Sequence, residues 1–178
     1  MPDSAHSARV LLLSGLPGVG KTTVVRALPA LVSGWRFAGF TTDEILQHGH
    51  RVGFQGRTID GRVLLIAHQE FAGARVGKYG VDVPAIDQLA ASLLPRNGVE
   101  AYLIDEVGKM ECMSTVFVQA VQRLLALPVR IVATVSAKGG GLIETIKNHP
   151  RAQLWDVTAG NRASLPGEIV AWLQSARP

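Results

Sequence analysis

The segment VLLLSGLPGVGKTTVVRAL, from Val10 to Leu28, constrains the fold more than any other part of the chain. An apolar run precedes a glycine-rich stretch, and a helix-like stretch follows it. Residues 15–22 fit the pattern G-x-x-x-x-G-K-[ST]. In such a loop, glycines allow successive backbone N–H groups to point inward, and these donors hold phosphate oxygens together with the start of the next helix. The segment therefore predicts a strand, a phosphate-binding loop and a helix.

Two side chains of this loop have specific expected roles. Lys21 can reach the β- and γ-phosphates of a nucleotide, and the Thr22 hydroxyl can bind Mg²⁺. The alternative, a glycine-rich turn without a ligand, is disfavoured because the full pattern between a strand and a helix rarely arises by chance. The residues predicted to contact the nucleotide here are Gly15, Leu16, Pro17, Gly18, Val19, Gly20, Lys21, Thr22 and Thr23.

The rest of the chain alternates between strand and helix patterns. The predicted strands are Arg9–Ser14, Trp35–Thr42, Ala101–Asp105, Arg130–Ser136 and the segment QLWDVT. The predicted helices are Lys21–Leu28, ended near Pro29 and Gly34, then Pro84–Leu94, a helix capped by Ser114, Leu142–Asn148 and Ser164–Ser175. This alternation predicts a three-layer α/β sandwich with a mainly parallel sheet, formed by residues 1–178 as one domain.

One section departs from this alternation. Arg51–Ile59 and Arg62–His68 flank the pair Asp60-Gly61, which is a common two-residue connection between antiparallel strands. We expect an antiparallel hairpin at one edge of the sheet.

Composition limits the classes of partner. The net charge is +4, but the arginines are scattered, so we expect a site for an anionic ligand and not a nucleic-acid surface. No apolar run has the length of a membrane helix, and the start lacks the apolar stretch of a signal peptide. Cys112 is the single cysteine and cannot form an internal disulfide. We expect a cytoplasmic protein. The oligomeric state stays open, with a monomer favoured.

The segment AYLIDEVGKMEC supplies a second group of candidates. Asp105 ends a predicted strand, at the sheet edge where ligands bind in open α/β folds, and is expected to contact Mg²⁺ through a water. Glu106 follows and is expected to position a water in line with the γ-phosphate; the alternative is a solvated loop residue. Lys109 is expected to stabilise charge in the transition state, or else to lie on the surface. Glu111 is expected to pair with it.

The chain resembles the THEP-type nucleoside-triphosphatases, which include the animal cancer-related nucleoside-triphosphatases. The resemblance rests on GLPGVGKTT, GFTTDEI, RVGKYGVDV, IDEVGKMEC and VTAGNRASLP, in that order. It implies a variation on the RecA-like fold, and slow, Mg²⁺-dependent hydrolysis of nucleoside triphosphates with broad base tolerance. It also implies a functional role for Lys109. The chain has Leu46 where the family often has an arginine, which puts any contact made by that arginine in doubt.

Asn161 and Arg162 follow the last predicted strand, a place close to the base in phosphate-loop folds, and the resemblance points the same way. Asn can bond a base edge and Arg can stack on its face, although Asn161 can equally shape its turn. Lys78 and Arg75 are read as parts of a structural loop, and Lys138 lies in a glycine-rich loop that can close or simply move. His48 and His50 are read as solvated.

Three functions compete at this point. The first is an Mg²⁺-dependent triphosphatase acting on ATP, GTP, CTP and UTP. The second is a nucleotide or small-molecule kinase, for which the predicted lid region 136–151 has few basic residues. The third is a nucleotide-dependent switch, which needs loops that change order with the γ-phosphate.

Overall fold

One sheet of nine strands organises residues 8–175, the part of the chain that the computed structural model describes. The strands are β1 (Val10–Ser14), β2 (Phe37–Gln47), β3 (His50–Thr58), β4 (Val63–His68), β5 (Arg75–Val76), β6 (Tyr79–Val81), β7 (Ala101–Val107), β8 (Arg130–Val135) and β9 (Ala152–Asp156). Their order across the sheet is β5-β6-β4-β3-β2-β7-β8-β1-β9.

The sheet has a parallel part and an antiparallel part. β2, β7, β8, β1 and β9 pair in parallel. Beyond β2, the strands β3, β4, β6 and β5 extend the sheet in antiparallel pairs. A parallel core with an antiparallel hairpin at its edge was the expectation from the sequence, and it is confirmed. In the β3–β4 turn, Gly61 has a φ of 96°, a conformation that glycine adopts without strain.

Five helices cover the two faces of the sheet. They are α1 (Lys21–Leu31), α2 (Val83–Ala90), α3 (Thr115–Ala126), α4 (Leu142–Lys147) and α5 (Leu165–Ser175). Leu11 and Leu13 pack with α1 and α5 in one apolar cluster, whereas Val10 and Leu12 belong to a second cluster with α2, α3 and α4. Alternate side chains of β1 therefore pack into apolar clusters on opposite faces of the sheet, which confirms the three-layer arrangement.

The expected cap at Ser114 and the expected place of Pro84 in the first turn of α2 are confirmed, but the cap at Asp82 was not predicted. Asp82 and Ser114 cap α2 and α3, accepting hydrogen bonds from the backbone N–H groups of Ala85 at 3.0 Å and Phe117 at 2.9 Å. The expected end of α1 near Pro29 is wrong, because Pro29 lies inside the helix, which continues to Leu31. Pro29 lacks a backbone N–H, so one helical hydrogen bond is lost, but this loss affects only the last turn of α1. The buried residues of the helix keep it packed in the core.

The second strand is longer than its expected range Trp35–Thr42. It runs to Gln47 and turns directly into β3 through His48 and Gly49, whose φ angles are 50° and 78°. The resulting hairpin carries residues 43–57 past the carboxyl edge of the parallel strands. Within the described residues, no helix has the length and apolar character that crossing a membrane requires.

Candidate active site

The phosphate loop connects β1 to α1 in a conformation that requires its glycines. Gly15, Gly18 and Gly20 have φ angles of 150°, 75° and 116°. A Cβ atom on Gly15 would lie 2.5 Å from the carbonyl oxygen of Val157, so a side chain is also excluded there by space. The strand, loop and helix that the motif predicted are all present.

Lys21 folds back over this loop. Its Nζ donates hydrogen bonds to the carbonyl oxygens of Gly15 at 2.8 Å and Leu16 at 3.1 Å. An ammonium group has three donors, so two hold it in place and one stays available. The positive charge is thereby fixed over the mouth of the loop, where an anionic ligand would meet it.

A cleft of about 660 Å³ opens beside the loop and lies in the size range of small-molecule sites. Its wall brings together the phosphate loop, the ends of β7 and β8, and the antiparallel extension. The lining residues are Gly15, Pro17, Gly18, Gly20, Lys21, Thr22, Thr23, Arg26, Thr42, Asp43, Glu44, Arg51, Phe54, Ile66, Val76, Glu106, Lys109, Met110, Glu111, Val135, Ser136 and Ala137.

Asp105 is buried at the end of β7, with 2% of its surface exposed. Its Oδ1 accepts a hydrogen bond of 2.6 Å from the Thr134 hydroxyl, and its Oδ2 accepts one of 3.2 Å from the backbone N–H of Thr42. Strands β8 and β2 flank β7, so both neighbours orient this carboxylate. Asp105 does not line the cleft itself, although Thr42 does.

Glu106 lines the cleft and accepts a hydrogen bond of 2.6 Å from the Ser136 hydroxyl. Strict alternation along β7 would place its side chain on the face opposite to Asp105. The β7–β8 register is irregular here, because Ile104 pairs with Ala133 and Val107 pairs with Val135. Two residues of β7 thus stand opposite one of β8, so simple alternation does not apply at this position. The peptide bond between Asp105 and Glu106 is cis.

Glu111 is a member of the site that the sequence did not reveal. It is buried, and desolvation, together with the nearby charges of Glu106 and Asp105, raises its pKa to about 8. At neutral pH it therefore carries a proton. The expected pairing with Lys109 is wrong: none of the ion pairs among the described residues joins them. Lys109 is exposed at the cleft wall.

The turn at Gly108 brings these carboxyl groups close to one another. A Cβ atom there would lie 2.7 Å from Glu106 Oε1, 2.9 Å from Glu111 Oε2 and 3.2 Å from Ser136 Oγ. A side chain at this position would push the two carboxyl groups out of their present places. Gly108 is therefore the position that allows the chain after β7 to pack Glu111 against the strand ends.

Asn161 and Arg162 lie beside the phosphate loop and not in the cleft wall. The Asn161 Oδ1 accepts from the backbone N–H of Thr158 at 2.8 Å, and its Nδ2 donates to the carbonyl of Asp156 at 2.8 Å. Its amide thus shapes its own turn, one of the two roles considered from the sequence. Arg162 donates to the Val19 carbonyl at 3.3 Å and so braces the loop. A contact with the base stays a prediction for both.

The remaining candidates lie away from the cleft wall. Arg75 donates to the carbonyls of Phe71 and Gln69, and Lys78 lies over the Tyr79 ring at 5.4 Å, as expected for a structural loop. Lys138 is exposed, and Leu46 is 60% exposed on β2.

Several cleft residues were missed by sequence reasoning. Arg26 had a usable signal, because it follows Thr22 by four residues and so shares its helix face. Ser136 directly follows β8, beside the end of β7. Its place in the cleft follows once β7 and β8 are known to be neighbouring strands. Thr42, Arg51 and Phe54 had no local signal, since their place depends on how β2 and β3 pair.

The comparisons with known proteins agree with this geometry. The model of a family described as NTPase matches residues 10–170. The chain belongs to this family of nucleoside-triphosphatases. It is 38% identical to the human cancer-related nucleoside-triphosphatase, over 96% of this chain and 99% of that protein. It is 34% identical to the nucleoside-triphosphatase THEP1 of Thermotoga sp. (strain RQ2), over 94% and 97%.

Two solved structures of the family share the fold. The crystal structure of THEP1 from Aquifex aeolicus superposes with a TM-score of 0.82 at 31% identity, covering 93% of this chain and 99% of that one. The solution structure of a human cancer-related nucleoside triphosphatase gives a TM-score of 0.82 at 34% identity, covering 96% and 100%. The likeness extends over nearly the whole of each chain.

Proposed function

We propose that this protein hydrolyses nucleoside triphosphates to nucleoside diphosphates and phosphate, with Mg²⁺ and with broad tolerance of the base. The observation that carries the proposal is a single cleft that holds both the phosphate loop and the Glu106 carboxylate. Relatives across nearly the full length are named nucleoside-triphosphatases, which favours hydrolysis over the kinase alternative. The cytoplasmic location and the monomeric state stay predictions from the sequence.

The phosphates are bound by the loop in this proposal. Backbone N–H groups of the loop residues after Pro17, with those at the start of α1, surround the phosphate oxygens. Lys21, already held over the loop by two carbonyls, turns its charge toward the β- and γ-phosphates. In the transition state, negative charge builds up on the oxygens that these donors contact, so the same groups lower the barrier. Lys109, exposed at the cleft wall, is proposed to add to this stabilisation.

The donors near the loop suit Mg²⁺. The Thr22 hydroxyl lines the cleft, and the charges of Glu106 and Asp105 help to raise the pKa of Glu111, so negative charge collects at this edge of the sheet. Within the described residues, no three His, Cys, Asp or Glu side chains form a metal cage by themselves. This matches a hard cation that takes most of its ligands from phosphate and water. Thr22 and Asp105 are the proposed residues, and the ion would neutralise charge on the phosphates.

Glu106 is proposed to position the attacking water. Its Oε1 accepts from Ser136, which leaves Oε2 to accept from a water in the cleft. The water oxygen forms a bond to the γ-phosphorus while the bond to the β–γ bridging oxygen breaks, and the water proton passes to the carboxylate or to the released phosphate. The proposal of broad base tolerance is supported by the Asn161 amide, which makes a hydrogen bond at Oδ1 and another from Nδ2 within its own turn.

The proposal is tested by measuring phosphate release from ATP, GTP, CTP and UTP without any acceptor, in Mg²⁺ and in EDTA. We expect release from all four, with kcat/KM values within about a thousandfold, and none in EDTA. The Lys21→Ala variant is the control for contaminating activity. Phosphate release that requires an added hydroxyl acceptor would contradict hydrolysis and favour a kinase.

A further inference from the structure

The cleft continues beyond the phosphate loop into a part that hydrolysis does not use. This part is formed by the antiparallel extension, and we call it the β3 pocket: Arg51, Phe54, Ile66 and Val76, with Glu44 at its rim. Ile66 is buried, and Phe54 and Val76 are partly buried. The walls are thus apolar and the rim carries one cation and one anion, which is the composition of a small-molecule subsite.

Arg51 is held by several contacts in this pocket although much of its side chain is exposed. The Cζ atom lies 5.1 Å from the centre of the Phe54 ring and 5.7 Å from that of Tyr79. Its Nε donates to the Tyr79 hydroxyl at 2.9 Å, and its Nη1 donates to Glu44 at 2.6 Å. The side chain is nevertheless 42% exposed. Two rings and two hydrogen bonds thus hold the guanidinium in place, while a large part of the side chain stays open to the cleft and to solvent.

We propose that the β3 pocket binds a second ligand with a planar heteroaromatic ring, of the nucleobase type, stacked on the Arg51 guanidinium. Glu44 pairs with Arg51 at 2.6 Å, which weakens the attraction for a simple anion, whereas stacking on the guanidinium plane persists. The exposed oxygens of Glu44 can accept from ring N–H groups at the same rim. The apolar walls favour a ring over a sugar or an aliphatic chain.

The position of the pocket makes this ligand a separate molecule from the triphosphate. The inference rests on the proposed function, in which the γ-phosphate faces Asp105 and Glu106. Thr42 contacts Asp105 and lines the cleft, and Glu44 follows it by two residues along β2. Two residues of a strand advance about 6–7 Å, so the β3 pocket lies beyond the γ-phosphate of the bound triphosphate. Asn161 and Arg162, the candidates for the base of the triphosphate, lie outside the cleft wall.

The test is calorimetric titration of adenosine into the protein saturated with Mg²⁺ and the β,γ-imido analogue of ATP, which fills the phosphate loop. We expect adenosine to bind with a Kd below about 1 mM and ribose not to bind. Arg51→Lys keeps the charge but removes the plane, and should weaken adenosine binding at least tenfold. Arg57→Lys is the matched control, because Arg57 lies on the same strand, is 47% exposed and pairs with Asp43 outside the pocket. It should leave binding unchanged.

Other results would overturn the inference. These are no adenosine binding at all, equal binding by the Arg51→Lys protein, or binding only when the imido analogue is absent, which would assign the ring to the triphosphate's own base. A thermal melt of each variant checks that it is folded, and Arg51→Met, which keeps the apolar stem, replaces a lysine variant that does not fold. Phosphate release by the wild type is measured in parallel. If the protein releases phosphate but does not bind adenosine, only the inference of a second ligand is contradicted. If it releases no phosphate, the proposed function is contradicted.

Discussion

The Ser136 hydroxyl donates a 2.6 Å hydrogen bond to Oε1 of Glu106 across the ends of two neighbouring strands. Ser136 follows β8 directly and Glu106 is the penultimate residue of β7. The bond links the carboxylate that we propose positions water to the rigid part of the sheet. It therefore fixes the direction of the free oxygen, Oε2.

Replacing Ser136 with alanine should lower kcat while leaving KM almost unchanged. One hydrogen bond to a charged acceptor contributes roughly 1.5–3 kcal/mol, so we expect a loss of about 10- to 150-fold. Ser136→Thr keeps the hydroxyl and should recover most of the rate. Ser175→Ala, on α5, is the control. A raised KM with normal kcat would show that Ser136 acts on binding and not on Glu106.

Glu111 makes the stability of the protein dependent on pH. Its pKa is about 8 in the folded state, against 4.5 for a solvated glutamate. Between these two values the unfolded chain has lost the proton and the folded chain keeps it, so the free energy of unfolding falls as pH rises through this window. Glutamine does not titrate, so Glu111→Gln should gain stability relative to the wild type from pH 5 to pH 8, by up to a few kcal/mol.

Urea unfolding of the nucleotide-free protein in EDTA, at pH 5 and pH 8, measures this difference. Glu70→Gln, at a side chain that is 88% exposed, is the control. A difference between Glu111→Gln and wild type that stays constant over the two pH values would mean that Glu111 is ionised in the folded protein.

Thr134 is predicted to control the affinity for Mg²⁺ through Asp105. Its hydroxyl is fully buried in β8 and donates a hydrogen bond of 2.6 Å to the Asp105 carboxylate, which is proposed as a metal partner. Thr134→Val removes that bond at nearly constant volume, and loss of such a supporting contact costs about 10- to 100-fold in metal affinity. We expect the Mg²⁺ concentration for half-maximal rate to rise by that factor, with kcat recovered at high Mg²⁺. Thr134→Ser should behave like wild type. An unchanged Mg²⁺ requirement in Thr134→Val would contradict the role proposed for Asp105 in Mg²⁺ binding.

What could be predicted from the sequence is what depends on neighbours in the chain. The phosphate loop, the cap at Ser114 and the hairpin around Asp60-Gly61 each follow from a few consecutive residues and are present, although residues 59–62 and not Asp60-Gly61 alone connect the two strands. The parallel core also followed, because alternating strands and helices have few ways to pack.

The features that could not be predicted depend on pairing between distant segments. The bulge that turns Glu106 into the cleft arises from the register of β7 against β8. The burial of Glu111 needs the close approach at Gly108, and the place of Arg51 needs the long β2–β3 hairpin. Pro29 shows the opposite case, where a strong local stop signal is overridden by the packing of α1.

The role of Glu106 is tested most directly by a single-turnover measurement of Mg²⁺–ATP hydrolysis by Glu106→Gln, with Glu70→Gln as control. Glutamine keeps the size and the bond from Ser136 but removes the base, so we expect the hydrolysis step to slow by about 10²- to 10⁴-fold. Bound ATP should stay intact, because the loop, Lys21 and Thr22 are unchanged. Hydrolysis of bound ATP by Glu106→Gln at the wild-type rate would contradict the assignment of Glu106 as the group that positions water.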